Sequence, residues 1–458
     1  MANETRALAH FAADLDYTQI PDHVRARAID LIVDQIGCEI GGSALPWSRQ
    51  VCATYSRAGG APEATVVKHG QRLPLCSAVF INSTFGHAFE YDDRNPLFYG
   101  HPGPELVPSM IATAEREHTP GREFLAAFVA AYEVRGRVSW AVAEDLLEHG
   151  GPQFSTACGP YSVAAGVARL LGLDADGIRN ALAIAGTFSG GLMQYDHGGG
   201  SVKRIFPAVA ASGGIQSACL AQAGMTGPEG ILEGARGFLK IYGKTYRPER
   251  LVADFGGKWT LETACFKPYA CVGIAHTAID GFSRLVADHD LRADMIAAVH
   301  VGYPIGFHAH AAIAAPTDIL GMQFSTGYTL ALTLLKGANT PREYTLEALH
   351  DPEVKRFASL VSVAEDAQLT RDHKGHPCAR VCITTQDGRR LDTFVLNAKG
   401  SPALPLTRDD IDRKFHSQVD ADFGAERADE LLRTLRNIDT LEDIAMLAPS
   451  LHIGSLAR

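Results

Sequence analysis

Apolar positions recur at helical spacing through most of the first 265 residues. In "PDHVRARAIDLIVDQIG" they fall at Val24, Ala28, Leu31, Ile32 and Ile36, near one face, with Asp22 as the expected N-terminal cap. "GREFLAAFVAAYEVRGRVSWAVA" and "GPYSVAAGVARLLGLDADGIRNALAIAGTFSGGLMQ" continue the pattern. Runs such as "SVAAGVA" and "AVAASGGIQSACLAQAG" are made of small residues, which favour helix and let helix axes approach closely. After about Lys267 the period changes. Val299, Val301 and Tyr303 alternate in "IAAVHVGYPIG", which reads as a strand. "CARVCITTQDGRRLDTFV" reads as a hairpin turning at Asp387 and Gly388. Helices are expected between these strands, around "STGYTLALTLLKG" and "EALHDPEVKRFASLVSV", and again from "PLTRDDIDRKFHSQV" to the end. The pattern predicts a mainly α protein. A large all-helical domain spans 1–265, completed by helices in 400–458, and a smaller α+β domain occupies 266–399.

Composition narrows the function classes. The chain has 458 residues, 46% hydrophobic, with a formal net charge of −10. That charge argues against nucleic-acid and anionic-membrane surfaces, but allows a small basic pocket for an acidic substrate. The opening "MANETRALAHFAADLDYTQI" lacks the basic-then-apolar order of a secretory signal, and no stretch has the length of a membrane span. The nine cysteines are dispersed without CxxC spacing, which reads as reduced thiols and a cytoplasmic location.

Four stretches concentrate chemistry. "EYDDRNPLFYGHPG" (Glu90–Gly103) packs three carboxylates, an arginine and a histidine into a segment that Pro96 and Pro102 keep from being one helix. Alone it would read as a solvated surface loop. "YDHGGGSVKRIF" sets Lys203 and Arg204 after Gly198, Gly199 and Gly200, where backbone amides could approach an anion, but it has no Walker pattern. "CFKPYACVGIAHTAID" carries Lys267 and His276, and "MQFSTGYTLALTLLKG" carries Tyr328 on an apolar helix. A structural His and a half-buried core Tyr are the bland accounts of these two. A metal-dependent hydrolase built on His87, Asp92, Asp93 and His101, or on His308 and His310, lacks a ligand spacing such as HExxH.

Taken in order, these stretches, with "TGPEGILEGARGFL" and "PLTRDDIDRKF", resemble the MmgE/PrpD family over about residues 5–445. This is the family of 2-methylcitrate dehydratase, cis-aconitate decarboxylase and iminodisuccinate epimerase. The resemblance implies an all-helical domain with a smaller α+β lid domain, a homodimer, and an active site between the domains. It also implies no metal, no organic cofactor and a small di- or tricarboxylate substrate. His101 matches the family's HP histidine and is the expected acid/base group. Lys203 matches the lysine after the glycine-rich stretch, as carboxylate binder or charge stabiliser, and His276 and Tyr328 match the lid-domain proton donors. Asp93 keeps the second aspartate of the pair, and Lys267 sits where a basic residue is common. Three positions depart: Glu90 stands for Asp, Arg94 for Thr or Ser, and Gln153 for an active-site histidine. Glu90, Asp93, Arg94, Gln153 and Lys267 are the expected substrate-binding set. Glutamine cannot carry a proton near neutral pH. The resemblance therefore points to a hydro-lyase of the 2-methylcitrate dehydratase kind before a decarboxylase. An epimerase, or a catalytically degenerate binding protein, are the alternatives.

Overall fold

The structure is a computed structural model that describes residues 3–57, 59–148, 152–194 and 200–453. The side chains of Leu147, Glu148 and His310 also lie outside the description. The chain divides into two compact units, Met1–Cys265 with Arg408–Arg458, and Phe266–Thr407.

The first unit is helical. Its helix Asp22–Gly42 buries Val24, Ala28, Leu31, Ile32 and Ile36, the face given by the apolar spacing. Truncating Leu31, which is wholly buried, to alanine would cost roughly 2–5 kcal/mol. Asp22 does not cap this helix. It is the first helical residue and pairs with Arg25, while Pro21 holds the cap position without a side-chain bond. The helices Phe154–Leu170 and Phe206–Gln222 pack together through alanines and glycines, and Arg408–Phe423 packs on Asp22–Gly42. The otherwise helical region also holds a small hairpin, β1 (Ala64–Thr65) against β2 (Arg72–Leu73).

The second unit carries a four-stranded mixed sheet of β3 (Ile296–Tyr303), β4 (Val361–Glu365), β5 (Ala379–Thr385) and β6 (Arg390–Val395) in the order β4-β3-β5-β6. β5 and β6 form the expected hairpin, with Ala379 opposite Val395 and Thr384 opposite Arg390. β4 is a correction. "SLVSV" continues a helical reading without a breaker, yet the helix Pro352–Ala358 stops and Val361 pairs in parallel with Val299. Among the described residues no helix is long and apolar enough to cross a membrane, and all nine cysteines are free thiols.

Candidate functional site

The helix Leu75–Gly86 ends at His87, and the next, Gly103–Glu117, starts sixteen positions later in the numbering. The chain between is non-helical, as the prolines require, but it is not a solvated loop. Glu90, Tyr91, Asp92, Asp93, Asn95 and Phe98 are all buried. Such a backbone needs internal partners. Asn95 supplies several. Its Nδ2 donates to Tyr132 Oη at 3.0 Å and the Thr260 carbonyl at 2.9 Å, and its Oδ1 accepts from Leu97 N and Thr263 Oγ1. Arg94 exchanges both backbone hydrogen bonds with Cys265. Lys414, from the "PLTRDDIDRKF" motif, donates to the Tyr91 carbonyl at 2.7 Å and pairs with Asp34 at 2.7 Å. At the far end Gly103 N donates to Asp93 Oδ1 at 2.9 Å. A Cβ at Gly103 would sit 2.5 Å from that oxygen, so only glycine allows the approach.

The three carboxylates of this segment live in different company. Glu90 Oε1 accepts from Lys203 Nζ and, at 3.0 Å, from Arg204 Nη1. Both cations are buried and come from the short helix Ser201–Ile205, which Gly200 enters at φ +88. Asp92 Oδ2 lies 2.9 Å from His87 Nδ1 and 3.1 Å from His101 Nδ1. Burial alone would raise the Asp92 carboxyl, but the two imidazoles outweigh it and hold it well below the usual range. Burial holds His87 down to about 4 against the pull of Asp92, so its ring is neutral near pH 7. Asp93 is the opposite case. Burial, with Asp92 beside it, holds its carboxyl well above the usual range, and its Oδ2 makes no hydrogen bond among the described residues.

His87, Asp92 and His101 offer ligand atoms that all lie within 4.8 Å of one another, a set that could hold a metal ion. The hydrogen bonds disfavour that use. The ring nitrogens facing Asp92 are the ones placed to donate to it, and a metal ligand must present a lone pair instead. His308, named in the other metal reading, lies in the second unit; the side chain of His310 falls outside the described residues.

Of the remaining expected residues, Arg94 is half-buried, and its guanidinium makes no hydrogen bond or ion pair with any described residue. Gln153 is buried and plays a structural part, since its Oε1 accepts from Thr156 N at 3.0 Å and so caps the helix Phe154–Leu170. Close by, Arg135 pairs with Glu105 and donates to the Phe154 carbonyl at 3.3 Å, and burial pushes Glu105 up to about 7 despite that cation. Gly198 and Gly199 lie outside the described residues.

In the second unit Lys267, His276 and Tyr328 are all buried. The His276 ring meets Tyr269 edge-on at 5.3 Å, and its Nε2 faces the Cys271 carbonyl at 3.4 Å. Tyr328 lies in the first turn of the helix Thr326–Lys336, capped by Ser325, and burial raises its phenol. Gln323 bonds to both Ala270 and Val272, tying the segment that follows Lys267 to the one that precedes Tyr328.

Three participants lie outside the catalytic and substrate-binding sets expected from the sequence. His87 suggests only a metal ligand in sequence, because it falls just outside the acidic stretch at the end of an apolar helix. Asp92 yields to Asp93 there, since two adjacent aspartates look alike. Arg204 shares Glu90 with Lys203; the doublet itself is the available signal.

Two family models match the chain, the MmgE/PrpD N-terminal domain over residues 6–251 and the MmgE/PrpD C-terminal domain over residues 269–440. Relatives include a "Cis-aconitate decarboxylase-like protein oryM" of Aspergillus oryzae, 29% identical over 97% of this chain and 96% of the relative. A cis-aconitate decarboxylase of Aspergillus terreus is 28% identical over 98% and 96%. A 2-methylcitrate dehydratase of Cupriavidus necator is 26% identical over 81% and 80%.

Proposed function

The chain belongs to the MmgE/PrpD family, and from that premise we propose that it is a lyase acting on a small di- or tricarboxylate, breaking a bond beside a carboxylate-bearing carbon by proton transfer. The relatives named above are a decarboxylase, a decarboxylase-like protein and a dehydratase, all of names that imply this kind of substrate. The observation that carries the reading is His101. Its side chain is 21% exposed, while Asp92, which it faces, is fully buried. It is thus a titratable ring held from behind by buried groups and open in front. Removing a proton next to a carboxylate needs such a base, and the developing negative charge needs cations already in place. Lys203, Arg204 and Arg94 supply cations on or beside the same segment.

Lys203 acts here as a charge stabiliser whose position Glu90 sets, and Arg94 as the clamp for a substrate carboxylate, a role its planar fork suits. A hydro-lyase of the dehydratase kind is the first reading, because Gln153 spends its acceptor on a helix cap and cannot carry a proton. Decarboxylation is the second reading, favoured by the nearly full-length match to proteins of that name. In the second unit, His276 and Tyr328 serve as proton donors and Lys267 as a further carboxylate binder. The test is a panel of di- and tricarboxylates, with products followed by NMR. A new alkene with water lost supports the first reading, and loss of carbon dioxide the second. Absence of turnover across the panel would count against both. Arg94→Thr should change which acids of the panel are accepted; an unchanged profile removes Arg94 from the site.

A further inference from the structure

His101 Nδ1 lies 2.7 Å from the Asp93 carbonyl and 3.1 Å from Asp92 Oδ2. Both neighbours accept hydrogen bonds, and the carbonyl can do nothing else. A nitrogen between two acceptors must carry the proton. In the neutral ring Nε2 then holds the lone pair. Asp92 cannot easily turn away to release this arrangement, since the same Oδ2 faces His87 Nδ1 at 2.9 Å. His87 is wholly buried, and its Nε2 has no partner among the described residues. With burial keeping that ring neutral, its single proton belongs on Nδ1, toward the carboxylate. The two rings stand edge to face at 5.3 Å, with Asp92 shared between them.

The geometry points to Asp92 and His87 as positioning residues that act through His101: Asp92, together with the Asp93 carbonyl, holds its Nδ1–H tautomer and so presents Nε2 as the base, and His87 divides the charge of Asp92 and so limits how basic His101 becomes. This deepens, and rests on, the reading of His101 as the proton-transfer group. When Nε2 takes a proton, the positive ring faces an ionised carboxylate that is already in place. If Asp92 gave all its charge to His101, the protonated ring would be held too tightly to release its proton. A second N–H donor on the same oxygen weakens that hold. The other ionisable groups around the cluster are Asp34 with Lys414, Asp93, and Lys203, whose field acts on His87. Asp92 is itself one cause of the raised carboxyls of Asp93 and Asp34, so Asp92→Asn relaxes both, whereas His87→Leu leaves that cause in place.

The experiment is long-range proton–nitrogen NMR on histidine-15N-labelled full-length protein, with His101 assigned by its loss in His101→Gln. The wild type should show the Nδ1–H tautomer. Asp92→Asn keeps an acceptor but removes the charge, and should move the His101 titration midpoint to lower pH by about one unit or more. His87→Leu removes the second donor and should move the midpoint to higher pH. His87→Gln, which can still donate an N–H, should return it toward the wild-type value. A wild-type His101 in the Nε2–H tautomer overturns the inference without any variant having to fold. Midpoints unmoved in both Asp92→Asn and His87→Leu overturn it as well. These readouts need no turnover, so a protein that processes no carboxylate but shows them would contradict the proposed function and leave the relay standing.

Discussion

Glu90 and Asp92 stand two residues apart on one buried segment, yet their surroundings make them chemically different. Glu90 meets two permanent cations, Lys203 and Arg204. Asp92 meets two imidazoles, His87 and His101. A carboxylate held by lysine and arginine has no proton to exchange near neutral pH, so it serves as a fixed counter-charge that positions its cations. A carboxylate held by imidazoles sits beside rings that can accept and release a proton, and so can take part in moving one. Asp93, next in line, has no cation, and burial raises its carboxyl well above the usual range. Partner type, more than burial, separates a charge-holding end of the segment from a proton-handling end.

The comparison breaks most severely at Glu90. Glu90→Ala would leave Lys203 and Arg204 buried without their shared counter-charge, at a cost of about 3–5 kcal/mol in denaturant unfolding. Glu90→Asp keeps the charge and should cost much less. Equal losses for the two variants would show that packing, and not charge, governs this end.

At the other end, His87 makes folding sensitive to acid. Its pKa falls from an ordinary 6.5 to about 4 in the folded chain. As pH drops below 6.5 the unfolded chain takes up this proton and the native chain does not. Stability from this group is therefore intact above 6.5 and lost progressively down to about 4, by roughly 3 kcal/mol in all. His87→Leu should flatten that part of the stability–pH curve. An unaltered curve in the variant would assign the acid sensitivity elsewhere.

His101→Gln should lower kcat by on the order of a hundredfold or more, the usual scale for an acid–base group, with the fold retained. Near-normal turnover would remove His101 from proton transfer. The smallest effect is expected at Gln153. Gln153→His should cost about 1 kcal/mol, because it replaces the side chain that caps Phe154–Leu170, and the variant should still fold. No loss in a thermal melt would mean the cap contributes nothing.

Much of this is legible in the residues themselves. Helical spacing finds the buried face of Asp22–Gly42, and the alternation before Asp387 finds the β5–β6 hairpin. β4 escapes because Val361 follows a helix with no glycine or proline between, and short apolar runs carry no period of their own. In the site, composition draws attention to Glu90–Gly103, and the prolines rule out a helix. Partner choice is not readable. Glu90 and Lys203 lie 113 positions apart, and nothing local tells Asp92 from Asp93. The divergent fates of those two aspartates follow from a histidine on each side of the pair, both facing Asp92, one of which belongs to the preceding helix end. At Gln153 the residue type tells of the proton it cannot carry; the bond from Thr156 N to its amide oxygen depends on where the helix starts.

Solvent exchange tests the proton-transfer role of His101 most directly. Small di- and tricarboxylates would be incubated with the protein in D2O and followed by NMR, wild type beside His101→Gln. The wild type should place deuterium at a carbon next to a carboxylate in at least one of them, even where net conversion is slow, and the variant should lose that exchange. Exchange at the wild-type rate in His101→Gln, or none in the wild type with an acid that it demonstrably converts by proton abstraction, would contradict it.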